Sequence, residues 1–265
     1  MDQYQKKFMK EVQRIAGLGG MRDYDVMRKF IDCTYIALSN GALALLDKAG
    51  IEGAKAKWDK QEEEYLQIMG TVHKLEERQG IAGLMGIVVE ALEEKTYDFL
   101  SEPYMETMSD AKSGQFFTPW HLCKMMAHMT MGDINECLDA EKGPVWVSEP
   151  ACGSGGMVLA IAEVAKEQNV NPATRLHFVC TDINSATARA CYIQLTLAGI
   201  SAEVRTGNTL TDEVWESNLT MAAVMHPKRP KLDKPKKTGR VRTRTKPVDK
   251  KALSGRVRVR QQDGA

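Results

Sequence analysis

A few short segments of this chain hold residue types whose spacing could support chemistry. In SEPACGSGGM (148–157), a short apolar run ends and glycines follow at once. Strand, tight glycine loop, then helix is the layout with which α/β sheets hold a nucleotide-like cofactor. Gly153 allows the sharp turn, Gly155 lets a ligand approach the backbone, and Gly156 opens a helix with free N–H groups. The order G-S-G-G lacks the last glycine of G-x-G-x-x-G, which disfavours an NAD-linked oxidoreductase. A glycine turn that binds nothing is the plainer alternative. TDIN (181–184) brings Asp182 to the end of the next apolar run, 29 residues after Gly153. An acid there can accept both ribose hydroxyls, although Asp also serves as a helix N-cap. GNTL (207–210) offers Asn208 to the amino edge of an adenine ring, or as an ordinary turn residue. SGQFFTPW (113–120) sets two aromatics after a Gly-Gln pair and before a helix start, which suits a loop folding over a ligand. Thr118-Pro119 starts that helix, with Pro119 at its first position. Leu122, Met125, Met126 and Met129 then form a stripe expected to face the core.

These segments need elements to position them. The first hundred residues read as helical. Phe8, Val12 and Ile15 have helical spacing, and Gly17, Gly19 and Gly20 end that helix. Residues 23–38 continue with Val26, Phe30 and Tyr35. The stretch 51–79 carries Tyr65, Ile68, Met69 and Val72 as one apolar stripe, and 81–94 reads as a more buried helix. The pattern changes at 145. VWVSEP, LHFVCTDI (176–183), AEVRTGNT (202–209) and LTMAAVMHP (219–227) read as strands, with helices over 156–168 and 185–198. That alternation predicts a parallel, doubly wound sheet, with ligands at the carboxyl ends of the strands.

Composition sets the outer limits. The chain has 265 residues and a formal net charge of +1. That figure hides an asymmetry: residues 226–265 hold fifteen Lys and Arg against three Asp, a net +12, and the rest nets −11. A basic tail on an acidic body points to a nucleic-acid partner. RVRTRTK (240–246) and RVRVR (256–260) alternate basic with β-branched residues, so a basic hairpin and a disordered tail both fit. Phosphate contacts of that kind position a protein without reading sequence. Hydrophobic residues make up 43%, enough for a packed core. No apolar run approaches a membrane span, and the N-terminus has no secretory h-region. The six cysteines lack C-x-x-C or zinc spacing and read as reduced, mostly buried residues of a cytoplasmic protein.

GQFFTP, then EPACGSGG, then an acid ending the next strand, then GNTL, resembles the adenine-N6 DNA methylases. In particular it resembles the modification-subunit group of type I restriction-modification systems. DFLSEPYMETM (98–108) resembles that group's lead-in, and the likeness covers roughly residues 95–227. The resemblance implies a Rossmann-like α/β sheet that binds S-adenosylmethionine and methylates a flipped-out adenine. It implies a helical N-terminal domain over 1–110, a methyltransferase domain over 111–227, truncated after the fourth strand, and the basic tail over 228–265. By its family roles, Gln115, Phe116, Phe117, Thr118 and Pro119 would hold the methionine end of the cofactor. Glu149, Ala151, Gly153, Ser154 and Gly155 would form the bed beneath it. Asp182 would bind the ribose hydroxyls, Ile183 would pack on the adenine face, and Asn208 would lie near the adenine edge.

One departure stands out. The family's Asn-Pro-Pro-aromatic motif should follow the fourth strand, where this chain reads VMHPKRP (224–230). His226 replaces the Asn and Pro227 keeps the first Pro, while Lys228 and Arg229 replace the second Pro and the aromatic. A neutral imidazole offers one acceptor nitrogen but no amide carbonyl, and neither Lys nor Arg gives an aromatic stacking face. The expected partners are DNA and a specificity or other subunit, with no membrane. Two functions follow: adenine-N6 transfer to DNA, or a protein that binds cofactor and DNA as decoy, regulator or partner subunit without transfer. A methylase of RNA or protein is a third alternative.

Overall fold

The computed structural model describes residues 1–108, 116–138 and 143–226. Helix α1 (Gln3–Gly19) starts on Asp2, whose carboxylate accepts from the Tyr4 and Gln5 amides, while the Gln5 side chain accepts from the Asp2 amide. Phe8, Val12 and Ile15 are fully buried, as their spacing predicts, and Gly20 ends the helix in the left-handed conformation. Helix α2 (Asp23–Lys48) packs on α1 and on its other neighbours, α3 (Ala54–Gly70) and α4 (Leu75–Glu94). The stretch 51–79 is thus divided by a turn after Gly70. Helix α5 (Ser101–Met108) closes the helical region.

Helix α6 (Trp120–Met131) follows the FFTP loop. Pro119 is its N-cap, one position before the expected one, and its carbonyl accepts from the Leu122 and Cys123 amides. A short 3-10 turn precedes β1 (Val145–Glu149). Then come α7 (Gly156–Glu167), α8 (Pro172–Arg175), β2 (Leu176–Asp182), α9 (Ser185–Leu197), β3 (Ala202–Asn208), β4 (Glu213–Leu219) and α10 (Met221–Met225). The sheet order is β1-β2-β3-β4. Strands β1, β2 and β3 are parallel, joined through α7 and α9, in a Rossmann-like α/β arrangement. Consecutive order with right-handed crossovers sets both helices on one face of the sheet. Register agrees: Phe178 opposite Ala202 and Cys180 opposite Val204 are buried together. The other face is more polar, with Arg205 on Glu203 and Ser217 on Glu203.

The fourth strand differs from expectation. It is EVWESNL, not LTMAAVMHP, and it runs antiparallel to β3. The GNTLTD segment turns the chain straight back, with Asp212 at φ 57°. The polar character of EVWESNL suits an edge strand, whose outer residues stay in water. Met221–Met225, rich in alanine and methionine, forms the short helix its propensities favour.

A continuous hydrophobic core runs from α1 through α9 to β3. Helix α2 lies against α9, and their buried ion network binds the helical layer to the sheet. The Arg189 guanidinium donates to Asp32 (2.8 Å) and Glu64 (2.7 Å), and it lies over the Tyr35 ring. Tyr35 in turn donates to Glu216 on β4. No helix among the described residues is long and apolar enough to cross a membrane.

Candidate functional site

A cavity of about 270 Å³ opens where β1 and β2 end. That is close to the lower end of ligand-site volumes, roughly 300–1,000 Å³. Its walls come from four places. The β1 end and the glycine loop supply Glu149 and residues 151–154, and α7 supplies Gly156 and Met157. The end of β2 supplies Asp182, and residues 116–118 supply a further part of the wall. Asp98, from just before α5, and Cys123 of α6 complete it.

The glycine loop is held from both sides. The Cys152 amide donates to the Thr181 carbonyl at 3.0 Å, and the Gly153 amide donates to the Asp182 carboxylate at 2.9 Å. The same carboxylate accepts from the Asn184 amide and the Thr187 hydroxyl, so Asp182 fixes the loop as well as facing the cavity. Three of its roughly four acceptor positions are used, leaving capacity for a ligand hydroxyl. Gly153 has φ +53°, and a Cβ there would stand 3.1 Å from the Phe117 ring. The aromatic therefore lies directly on the loop, steadied by Tyr104 at 5.4 Å between centroids. Gly155 has φ +100°, and its missing side chain leaves room for Cys191 of α9 rather than for the cavity. Beneath the loop, Cys152, Cys180 and Cys191 are free and buried. Hydrogen bonding with Cys152 and Cys180, added to burial, holds the Cys191 thiol well above its ordinary range. It is thus a protonated packing group, as the sequence suggests.

Asp98 was not singled out by motif. It is buried, and Ser154 (3.1 Å to Oδ2) and Gln194 (2.9 Å to Oδ1) donate to it. Burial raises its pKa, and the bonds from Gln194 and Ser154 work against that. The available signal was one acid inside the otherwise apolar run YDFL.

The structure gathers Phe116, Phe117, Thr118, Glu149, Ala151, Gly153, Ser154 and Asp182 around one cavity. Phe116, on the wall, is 82% exposed, and Ile183, which follows Asp182 but is not on the wall, is 63% exposed. Asn208 is not on the wall, and its side-chain oxygen accepts from the Leu210 amide, as a turn asparagine does. Thr209 beside it donates to the Pro150 carbonyl, tying the GNTL turn to the end of β1. His226 is exposed after α10 and does not line the cavity. Gln115, Pro227 and the basic tail lie outside the described residues.

The methionine stripe reverses expectation. Helix α6 buries Cys123 and Ala127 against α7, where small residues allow close approach. Met125, Met126 and Met129 point outward, at 53%, 45% and 78% exposure.

A family model described as N-6 DNA Methylase matches residues 93–238, more than half of the chain. A protein described as the type I restriction enzyme MjaVIII methylase subunit, from Methanocaldococcus jannaschii, is 28% identical over 156 residues. The match covers 56% of this chain and 25% of that protein, so the chain spans only part of its relative's length. Among solved structures, one described as a class I S-adenosylmethionine-dependent methyltransferase from Listeria monocytogenes superposes with TM-score 0.38 and 11% identity. It covers 76% of this chain and 52% of that chain.

Proposed function

The chain belongs to the N-6 DNA methylase family, and from that premise we propose that it binds S-adenosylmethionine and serves methylation of adenine N6 in DNA. One observation carries the cofactor assignment. Three carboxylates, Asp98, Glu149 and Asp182, line the cavity, and among the described residues no Lys, Arg or His does. A dinucleotide would bring a pyrophosphate of charge about −2 into that field, which opposes it. S-adenosylmethionine is instead net positive, with a sulfonium and an ammonium against one carboxylate. The α7 N-terminus at Gly156 and Met157 gives that one carboxylate free N–H groups. On this reading Asp182, with one acceptor position open, takes a ribose hydroxyl, and Ile183 packs on one face of the adenine. Phe117 closes over the glycine loop and keeps water from the methionine end.

When bound, the cofactor supplies an electrophilic methyl group on sulfur. The chain itself must hold the target amine and accept its hydrogen bonds. In this sequence that duty falls to the VMHPKRP segment, where His226 offers a single acceptor nitrogen. Its exposed place after a short helix favours a second reading, in which this chain binds cofactor and DNA while transfer depends on a partner subunit. Incubation with methyl-labelled S-adenosylmethionine and mixed-sequence DNA, scored for both binding and transfer, separates the two. Cofactor binding with transfer to adenine N6 supports the first, and binding without transfer supports the second. A folded protein that binds no S-adenosylmethionine would defeat both.

A further inference from the structure

Asp98 is a fully buried carboxylate facing the cofactor cavity, and among the described residues no cation pairs with it. Its carboxylate is hydrogen-bonded but not charge-compensated. Oδ1 accepts from the Ser101 amide (3.3 Å) and the Gln194 amide group (2.9 Å), and the Ser154 hydroxyl donates nearest to Oδ2 (3.1 Å). The Ser101 side chain also hydrogen-bonds to it. All of these donors are neutral. Oδ2 faces the start of α7: a Cβ added to Gly156 would meet it at 2.7 Å. Glycine there lets Oδ2 sit directly against the start of α7. A buried carboxylate in this state is costly unless a cation joins it. Gln194 cannot turn to serve it better, because its own oxygen accepts from the Leu100 amide.

We propose that Asp98 is the anchor of the cofactor's α-ammonium group, with Oδ2 as the accepting atom. The assignment rests on the reading of this cavity as an S-adenosylmethionine site. The ammonium brings donors with a positive charge, which no described residue supplies to this carboxylate. The cofactor's carboxylate then falls to the adjacent α7 N-terminus, so acid and helix end divide the amino-acid head between them. Glu149 and Asp182, at the strand ends, face the remainder of the ligand. Among the described residues, the titratable groups that share the cavity with Asp98 are these two carboxylates, the Cys152 thiol and the Cys123 thiol of α6, which burial pushes up to about 11.

The test compares two ligands by calorimetry on the full chain. S-adenosylmethionine carries the amino-acid head, and 5′-methylthioadenosine keeps the nucleoside and sulfur without it. Asp98→Asn should weaken S-adenosylmethionine about tenfold or more, from the roughly 1.5–3 kcal/mol of a hydrogen bond to a charged group. It should leave 5′-methylthioadenosine unchanged. Equal weakening of both ligands would overturn the assignment, since Asp98 would then act only by holding the glycine loop. Unchanged S-adenosylmethionine binding would overturn it too. Failure of the wild-type chain to bind either ligand would instead overturn the cofactor reading, and this assignment with it. If the variant does not fold, the wild-type chain decides by its pH profile. Affinity for S-adenosylmethionine should fall as acid protonates Asp98, and that for 5′-methylthioadenosine should not. Parallel profiles would overturn the assignment.

Discussion

At the residue scale, two positions show what the cavity demands. Gly153 combines a positive φ with a phenylalanine ring resting on it. Gly153→Val should therefore displace the Phe117 loop and abolish measurable S-adenosylmethionine binding by calorimetry. Far-UV circular dichroism should stay unchanged, because the residue lies outside every helix and strand. Asp98 makes a second prediction, about stability. Its folded pKa is raised by burial above the ordinary 3.8. The group's contribution to stability is therefore full below that value and is lost as pH rises through the folded pKa. At neutral pH its charge works against folding, so Asp98→Asn should melt higher than the wild type without ligand. About 1 kcal/mol would appear as roughly 2–4 °C for a chain of this size. The gain should vanish near pH 4, and a variant that melts lower at pH 7 would contradict it. The glycines could be read from sequence because turn chemistry is local. Asp98 could not, because its partners Ser154 and Gln194 lie 56 and 96 residues away.

At the element scale, the parallel strands and their crossover helices were legible within a residue or two. Each has an apolar run or stripe bounded by glycine, proline or an N-cap such as Asn184. The β4 hairpin was not, because an edge strand pairs through backbone and carries no apolar signature, while LTMAAVMHP has one. The outward methionines of α6 misled in the opposite sense: hydrophobic spacing marks a helix but does not say which face is covered. Nor did sequence foretell the ion network that joins layers. Arg189 on α9 reaches Asp32 on α2 and Glu64 on α3, and its side chain is only 10% exposed. Removing the guanidinium takes one of two cations from buried Asp32, which keeps Arg28 at 2.6 Å, and the ion-pair partner of Glu64. Arg189→Leu should thus cost about 3–5 kcal/mol, read as a lower urea midpoint. Adding Asp32→Leu should restore part of that loss, since replacing both partners of a buried pair by apolar groups is often near neutral. A double variant no better than the single would show that Asp32 is not the group left stranded.

At the scale of the whole molecule, charge divides the chain in a way that hydrophobic pattern does not. The body nets −11, and the cofactor cavity adds no basic group to its own wall. An acidic body repels a phosphate backbone, so on the proposed function attraction to DNA is expected from residues 226–265, which net +12. Binding then releases counterions in proportion to the phosphates neutralised. If about six of the basic groups touch phosphate, log K should fall against log salt with a slope near −5. The measurement is fluorescence anisotropy of a labelled duplex over a salt series, for the full chain and for a chain lacking residues 228–265. Deletion should flatten the slope and weaken binding at low salt, while S-adenosylmethionine affinity stays the same, since the described cavity wall is built from residues between Asp98 and Asp182. Equal slopes with and without the tail would move the DNA contact onto the body. The exposed Phe116 on the cavity wall, and the exposed Ile183 and α6 methionines, would then be the surfaces to test next.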